Sequence, residues 1–254
     1  MKILLSPAKS ISLTNKVDFP LVTSPIFVKE TEKLVKKLKR LKPKDLMTLM
    51  SISRELADQN YERYHNWTKP EVFSTITQPS SFIFTGEVYR ALDVHTLSNS
   101  ELITAQDRLR ILSGLYGILK PLDVIYPYRL EMGTKWSPDS KNKNLYEFWK
   151  DKLTKHFKTE LEKEEEIIDL ASTEYSKVLD WKKISNRVIT PVFKEFKNGE
   201  YKVVMMYAKH ARGAMARYLI KNQLNNIDDL KSYSIDSYGF DARQSSKNEW
   251  VFVR

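Results

Sequence analysis

The chain has 254 residues, enough for one large domain or two small ones with a sizeable core. Its 41% hydrophobic and 29% charged residues are typical of a globular protein, and no stretch approaches the roughly 18 apolar residues of a membrane span. Cysteine is absent, which excludes disulfides, thiolate metal sites and a thiol nucleophile. The net charge of +10 favours polyanionic partners such as nucleic acid, although lysines spread over a solvated surface explain it equally well.

The N-terminal third predicts a strand followed by helices. Residues 2–6 form a short apolar run that predicts a buried strand, and they lack the longer apolar region and cleavage site of a signal peptide, so we expect a cytoplasmic protein. Helical spacing of apolar residues predicts a helix from near Pro25 to Leu41. Pro43 interrupts it, a second helix restarts there, and Ser53 is placed to cap a third.

The rest of the chain mixes the two element types, which predicts a mixed α/β (α+β) fold. Phe82–Thr85 indicates a short strand, and Ser98 with Glu101 forms a capping box that starts a helix running through Ser113. Residues 145–166 give the longest helical pattern. A compact strand (167–172), a hairpin around Asn198-Gly199, a basic helix (211–224) and a closing strand (248–254) follow.

Two glycines, Gly114 and Gly117, stand three residues apart between apolar runs in a chain with only seven glycines. A single glycine after a helix is a common C-cap. Two in a short turn also suit a tight helix–turn–helix whose backbone N–H groups hold a phosphate. Arg108, Arg110 and Lys120 surround the turn and add positive charge.

The segment YAKHARGAMARYLIKNQ carries positive side chains and no acidic one. These residues are Lys209, His210, Arg212, Arg217 and Lys221. Exposed helices normally mix the two signs of charge, so a purely positive face favours contact with a polyanion over an ordinary solvated surface.

Four polar residues are candidates for catalysis. Ser6 and Lys9 follow the first strand, where a cleft forms at the ends of parallel strands, and a serine–lysine pair can serve nucleophilic catalysis. Arg129 and Glu131 stand two apart, so on a strand they would share a face. A surface turn and a structural ion pair explain the same residues, so the catalytic assignment stays open.

Metal and cofactor signatures are absent. Glu62 and His65 form one Glu-x-x-His pair, whereas a di-iron bundle needs two. There is no His-Glu-x-x-His, no phosphate-binding loop, no Gly-x-Ser-x-Gly and no dinucleotide-binding glycine motif. We therefore expect no metal and no cofactor, with direct iron binding near Glu62 and His65 as a minor alternative.

Seven segments in the same order resemble the bacterial YaaA family of peroxide stress proteins. They are ILLSPAKS, FTGEVYRAL, RILSGLYGILKPLD, PYRLEMGTKW, NLYEFW, IIDLASTEY and YAKHARGAMARY. The resemblance spans nearly the whole chain and implies one domain over residues 1–254. It also implies a cytoplasmic protein that limits free iron during hydrogen peroxide stress. The expected fold is a mixed α/β domain with a basic cleft and a helix-hairpin-helix element associated with DNA.

The resemblance places the helix-hairpin-helix segment on residues 112–123 and the basic segment on residues 209–217. The leading hypothesis is therefore a DNA-binding stress protein with little base specificity. Backbone amides of Gly114–Gly117 would meet phosphate, and Tyr116 would stack on an exposed base. Neighbouring phosphates would be neutralised by Arg108, Arg110, Lys120, Lys209, His210, Arg212 and Arg217. The alternative is an enzyme acting on a phosphorylated or nucleic-acid substrate through Ser6, Lys9, Arg129 and Glu131.

Overall fold

The computed structural model describes residues 1–13, 21–69 and 74–254, and the predicted mixed α/β class is confirmed. The helices are α1 (Val28–Leu38), α2 (Pro43–Met50), α3 (Arg54–Asn66), α4 (Ser80–Ile83), α5 (Glu87–Leu92), α6 (Asn99–Arg108), α7 (Leu145–Glu160), α8 (Thr173–Ser176) and α9 (Met205–Asn222). The strands are β1 (Lys2–Leu5), β2 (Gln78–Pro79), β3 (Leu109–Ser113), β4 (Gly117–Leu119), β5 (Val124–Ile125), β6 (Ile167–Asp169), β7 (Val188–Lys197), β8 (Glu200–Lys202), β9 (Gly239–Asp241) and β10 (Glu249–Val253). No helix in these ranges is both long and apolar enough to cross a membrane.

A mostly parallel sheet organises the described residues, in the order β4-β3-β1-β6-β7-β10-β9, with β8 paired to β7. Strand β1 lies between β3 and β6 and is parallel to both. Because parallel strands are covered on both faces, they consist of near-continuous apolar runs, and all four residues of β1 are buried. Leu4 pairs with Asp169, so the carboxyl ends of β1 and β6 lie side by side.

Several predicted helix starts are confirmed. The Ser53 side chain accepts a hydrogen bond from the Leu56 N–H at the start of α3. Ser98 and Glu101 form the predicted capping box of α6, with the Ser98 N–H donating to the Glu101 carboxylate at 2.7 Å. These local hydrogen bonds satisfy backbone donors that a helix start leaves free, which is why short-range sequence patterns identify them.

The helix-hairpin-helix prediction for residues 112–123 is wrong. Helix α6 ends at Arg108, and β3 and β4 then form an antiparallel strand hairpin whose turn is buried. Gly114 is required because a Cβ there would lie 2.3 Å from the Leu130 carbonyl oxygen. Gly117 has φ +76° and faces the Trp149 ring, so a side chain is excluded there too. The two glycines allow close packing rather than phosphate binding.

Other differences arise from short apolar runs, which helices and buried strands share. Residues 80–83 form α4 where a strand was predicted from Phe82, and Phe84 makes only an isolated bridge to Ile11. Helix α7 ends at Glu160, before the acidic run that follows it. Helix α9 starts at Met205, inside the segment predicted to continue the hairpin.

A two-helix hairpin does occur, at residues 43–66, where α2 packs against α3. We call this pair the helical hairpin. Pro43 occupies the first turn of α2, and Ser51 adopts a left-handed conformation that ends it. Two residues later Ser53 caps α3, so the connection is short and its loop residues Ser51 and Ser53 are exposed.

Candidate functional site

The carboxyl ends of β1 and β6 bring Ser6 next to the segment that starts α8. The Ser172 N–H donates to Ser6 Oγ at 2.8 Å, and Ser6 Oγ lies 3.2 Å from Ser172 Oγ. The Tyr89 hydroxyl donates to the Ser6 carbonyl at 2.9 Å, which ties α5 to the same edge. In open α/β sheets, ligands bind outside the carboxyl ends of adjacent strands whose connections diverge, so this edge is a candidate site.

Asp169, the last residue of β6, is buried beneath this edge. Burial raises the pKa of its carboxyl to about 6, against the opposing effects of the Ser176 hydroxyl, the Ala171 N–H and the positive charge of Arg212. Burial also lowers the pKa of Arg212, which makes no hydrogen bond among the described residues. The two charges are therefore held in a region that solvates neither of them well.

An open cavity of about 1050 Å³ lies between the helical hairpin and residues 129–136. Its wall holds an ion cluster: Lys9 Nζ is 2.6 Å from Glu131 Oε2, and Arg129 Nη2 is 3.3 Å from Glu131 Oε1. Three of the four predicted catalytic candidates therefore meet at this cavity. The fourth, Ser6, is bonded to Ser172 instead.

Residue Glu174 also lines the cavity, and sequence reasoning missed it. Its carboxylate accepts a hydrogen bond from the Gly133 N–H at 2.8 Å, which holds the loop carrying Glu131. The Tyr64 hydroxyl of α3 donates to the Arg129 carbonyl and anchors the other end of that loop. Glu174 follows β6 as Lys9 follows β1. Its position after a predicted strand could therefore have identified it as a candidate site residue.

The basic residues predicted around the glycine turn are engaged inside the protein. Arg108 donates to the Leu224 carbonyl at 2.7 Å, and Arg110, whose side chain is 3% exposed, pairs with Glu160 at 2.8 Å. Lys120 Nζ lies 3.6 Å from the same carboxylate. With Gly114, Gly117 and the Tyr116 ring also buried, this segment offers little surface to a phosphate.

The basic segment of α9 keeps part of its predicted surface. His210 lies between Glu87 and Asp236, with nitrogen–oxygen distances of 3.7 and 3.5 Å. Arg217 donates to the carbonyls of Leu92 and Asp93 and so ties α9 to the end of α5. Lys209 remains exposed with no ion pair among the described residues. Groups from other elements thus engage several polar side chains of this segment, and Lys221 Nζ lies 3.3 Å from Glu101 Oε1.

A row of exposed cations occurs on α1 instead. Lys29, Lys33 and Lys36 lie along one face of α1, and Arg40, two residues past the end of the helix, continues the spacing of four, three and four residues. All four are exposed, and none of their side chains forms an ion pair or hydrogen bond within the described ranges. We call them the basic stripe. Lys44, four residues further along, reaches the cavity wall.

No metal centre is formed by the residues that the structure describes: no three histidine or acidic side chains come together as ligands. Glu62 and His65 are exposed on α3, and His65 Nδ1 contacts the Tyr61 carbonyl of its own helix at 2.9 Å. This arrangement gives direct iron binding no structural support.

Comparison with known proteins identifies the family. Residues 1–244 match the family described as peroxide stress protein YaaA. The UPF0246 protein of Flavobacterium johnsoniae is 45% identical over all of both chains. Relatives from Polynucleobacter necessarius and Shewanella oneidensis are 44% and 43% identical over all of this chain and 98% and 99% of their own. The resemblance noted in the seven segments is thereby confirmed, and the chain belongs to the family of the peroxide stress protein YaaA.

Proposed function

We propose that this protein contributes to peroxide protection by binding DNA through its phosphate backbone, with little base specificity, and helps to limit free iron during the stress. The observation that carries the proposal is the basic stripe, because its four cations pair with no carboxylate of the described residues and follow one another along α1 and the turn after it. Such a row neutralises successive phosphates without reading sequence.

The helical hairpin extends this surface beyond the stripe. Lys44 on α2 lines the cavity, whose wall holds a small excess of positive charge: Lys9, Lys44, Arg129 and Lys135 against Asp45, Glu131 and Glu174. DNA contact is thus assigned to α1 and the helical hairpin rather than to the buried glycine turn.

Salt dependence of duplex binding tests this assignment. Five phosphate contacts, from the stripe and Lys44, predict a slope of roughly −4 to −5 in log K against log salt. The double variant K36E/R40E should weaken binding and reduce the magnitude of the slope by about 2. A control with the same charge change, K182E/K197E, uses exposed cations outside the proposed surface and should leave the slope unchanged. No binding of wild-type protein at low salt would refute the proposal.

The same pair of variants connects binding to protection in cells. In cells that lack the native gene, K182E/K197E should restore survival under hydrogen peroxide and the normal level of free iron measured by electron paramagnetic resonance. K36E/R40E should restore neither. Equal rescue by both variants would show that DNA binding at the stripe is not how the protein protects.

The ion cluster at the cavity favours one second candidate, an enzyme acting on a phosphorylated or nucleic-acid substrate. Lys9, Arg129 and Glu131 form a compact polar set that can bind a phosphate and move a proton. Time-dependent conversion of a labelled oligonucleotide, lost in Glu131→Gln, would support it. Unchanged DNA after prolonged incubation, with binding intact, would favour the binding protein.

A further inference from the structure

The cavity beside the helical hairpin suits a single nucleotide in size and in the chemistry of its wall. Its volume of about 1050 Å³ is just above the ~300–1,000 Å³ typical of small-molecule pockets. One unpaired nucleotide fits such a volume, whereas a double helix does not. The cavity also lies next to the end of the basic stripe, because Leu41, which directly follows Arg40, is part of its wall.

One part of the wall suits a phosphate. Arg129 has five N–H donors, but its side chain makes a single hydrogen bond, to Glu131, in the part of the chain that the structure describes. Its Nε is buried without a partner. Lys9 lies on the other oxygen of Glu131 at 2.6 Å and is 61% exposed. The cluster therefore holds two cations on one carboxylate, with a net positive charge and unused N–H donors, and a phosphate oxygen accepts strongly from such groups.

Another part of the wall suits a base. Trp136 is half-buried at the cavity, next to Thr134 and near Met50 of α2. An indole face stacks with any base, so this contact requires no particular sequence. Thr134 and the Glu174 carboxylate add polar groups that can meet the edge of a base.

We propose that the cavity takes one unpaired nucleotide of the bound DNA, with its base on Trp136 and its phosphate on Arg129 and Lys9. The inference rests on the proposed function, since the basic stripe must hold the flanking DNA. The protein would then bind DNA with a displaced base preferentially, through a site distinct from the basic stripe, which binds any duplex. An unpaired base enters at low cost because the unstacking that a paired base requires has already occurred.

Affinity for two duplexes of one sequence, one fully paired and one with a single bulged nucleotide, tests the inference. Wild-type protein should bind the bulged duplex roughly tenfold more tightly. Trp136→Ala should remove this preference and leave affinity for the paired duplex unchanged. Trp181→Ala, a half-buried tryptophan outside the cavity, should keep the preference. Binding of both duplexes with equal affinity by wild type overturns the inference alone, whereas no binding of either overturns the proposed function as well.

A second measurement needs no variant. A 5-iodouracil at the bulge, irradiated in the wild-type complex, should cross-link to the peptide that carries Trp136. The same base inside the paired duplex should not. Cross-linking of the bulged base to a peptide remote from residues 129–136 overturns the inference even if the bulged duplex binds more tightly.

Discussion

The buried carboxyl of Asp169 predicts an unusual effect of a single substitution on stability. Burial raises its pKa from 3.8 to about 6. The free energy of folding is therefore roughly 3 kcal/mol less favourable with this carboxyl ionised than with it protonated. Because the folded pKa is the higher one, this stabilisation of the protonated state is complete below pH 3.8 and is lost as pH rises through about 6. Asp169→Asn replaces the carboxyl with a neutral group of the same shape. Its amide can still accept from the Ala171 N–H and donate to the Ser176 hydroxyl.

Urea unfolding of both proteins from pH 4 to pH 8 measures the effect. The Asp169→Asn variant should match wild type near pH 4 and exceed its free energy of unfolding by roughly 2–3 kcal/mol at pH 8. Asp229→Asn, at an exposed carboxylate, serves as the control and should follow wild type throughout. A variant of Asp169 that is less stable than wild type at pH 8 would show that the ionised carboxylate is needed beside Arg212, and the reasoning from burial would be refuted.

Three further substitutions test how the fold is held together. Gly213→Ala places a Cβ 1.9 Å from the Val88 carbonyl oxygen, so α5 and α9 must move apart. We expect the free energy of unfolding in urea to fall by roughly 1–3 kcal/mol, and an unchanged urea midpoint would contradict this packing. Glu160→Gln leaves the buried Arg110 guanidinium without its counter-charge and should lower the free energy of unfolding by roughly 3–5 kcal/mol at neutral pH in the same assay. An unchanged free energy of unfolding would mean that water screens the pair. Ser53→Ala removes the cap of α3 and should cost about 1 kcal/mol, measured as a lower thermal midpoint; equal midpoints would mean that another group replaces the cap.

Local patterns predicted the elements whose cause is local. The caps at Ser53 and Ser98 depend on residues three positions away, and the Asn198-Gly199 turn lies within its own hairpin. The two caps and the turn were confirmed because the hydrogen bonds that define them form within a few residues. The seven family segments were also sufficient to identify the family, which the comparisons confirm.

Residues 109–119 show where the sequence was ambiguous. The run is buried throughout, as its composition indicates, but a buried helix and a strand covered on both faces give the same apolar pattern. Pairing with β1, far away in sequence, decides for the strand. The two glycines indicated that the backbone packs closely against another part of the chain. Only the fold showed which parts these are: Leu130 for Gly114 and Trp149 for Gly117.

For the candidate site, too, some features follow from the sequence and others only from the tertiary structure. The sequence by itself determined that Lys9 follows a predicted strand, that Arg129 and Glu131 are closely spaced charges, and that the chain has an excess of positive charge. Only the tertiary structure decided which cations stay free, because the carboxylates that pair with Arg110 and Lys221 come from other elements. A sequence records the number of charges, but their effect depends on distances between residues far apart in the chain. The basic stripe remains available for this physical reason: its four side chains are exposed, and the nearest carboxylate on that face, Glu32, pairs with Lys69 at 3.6 Å.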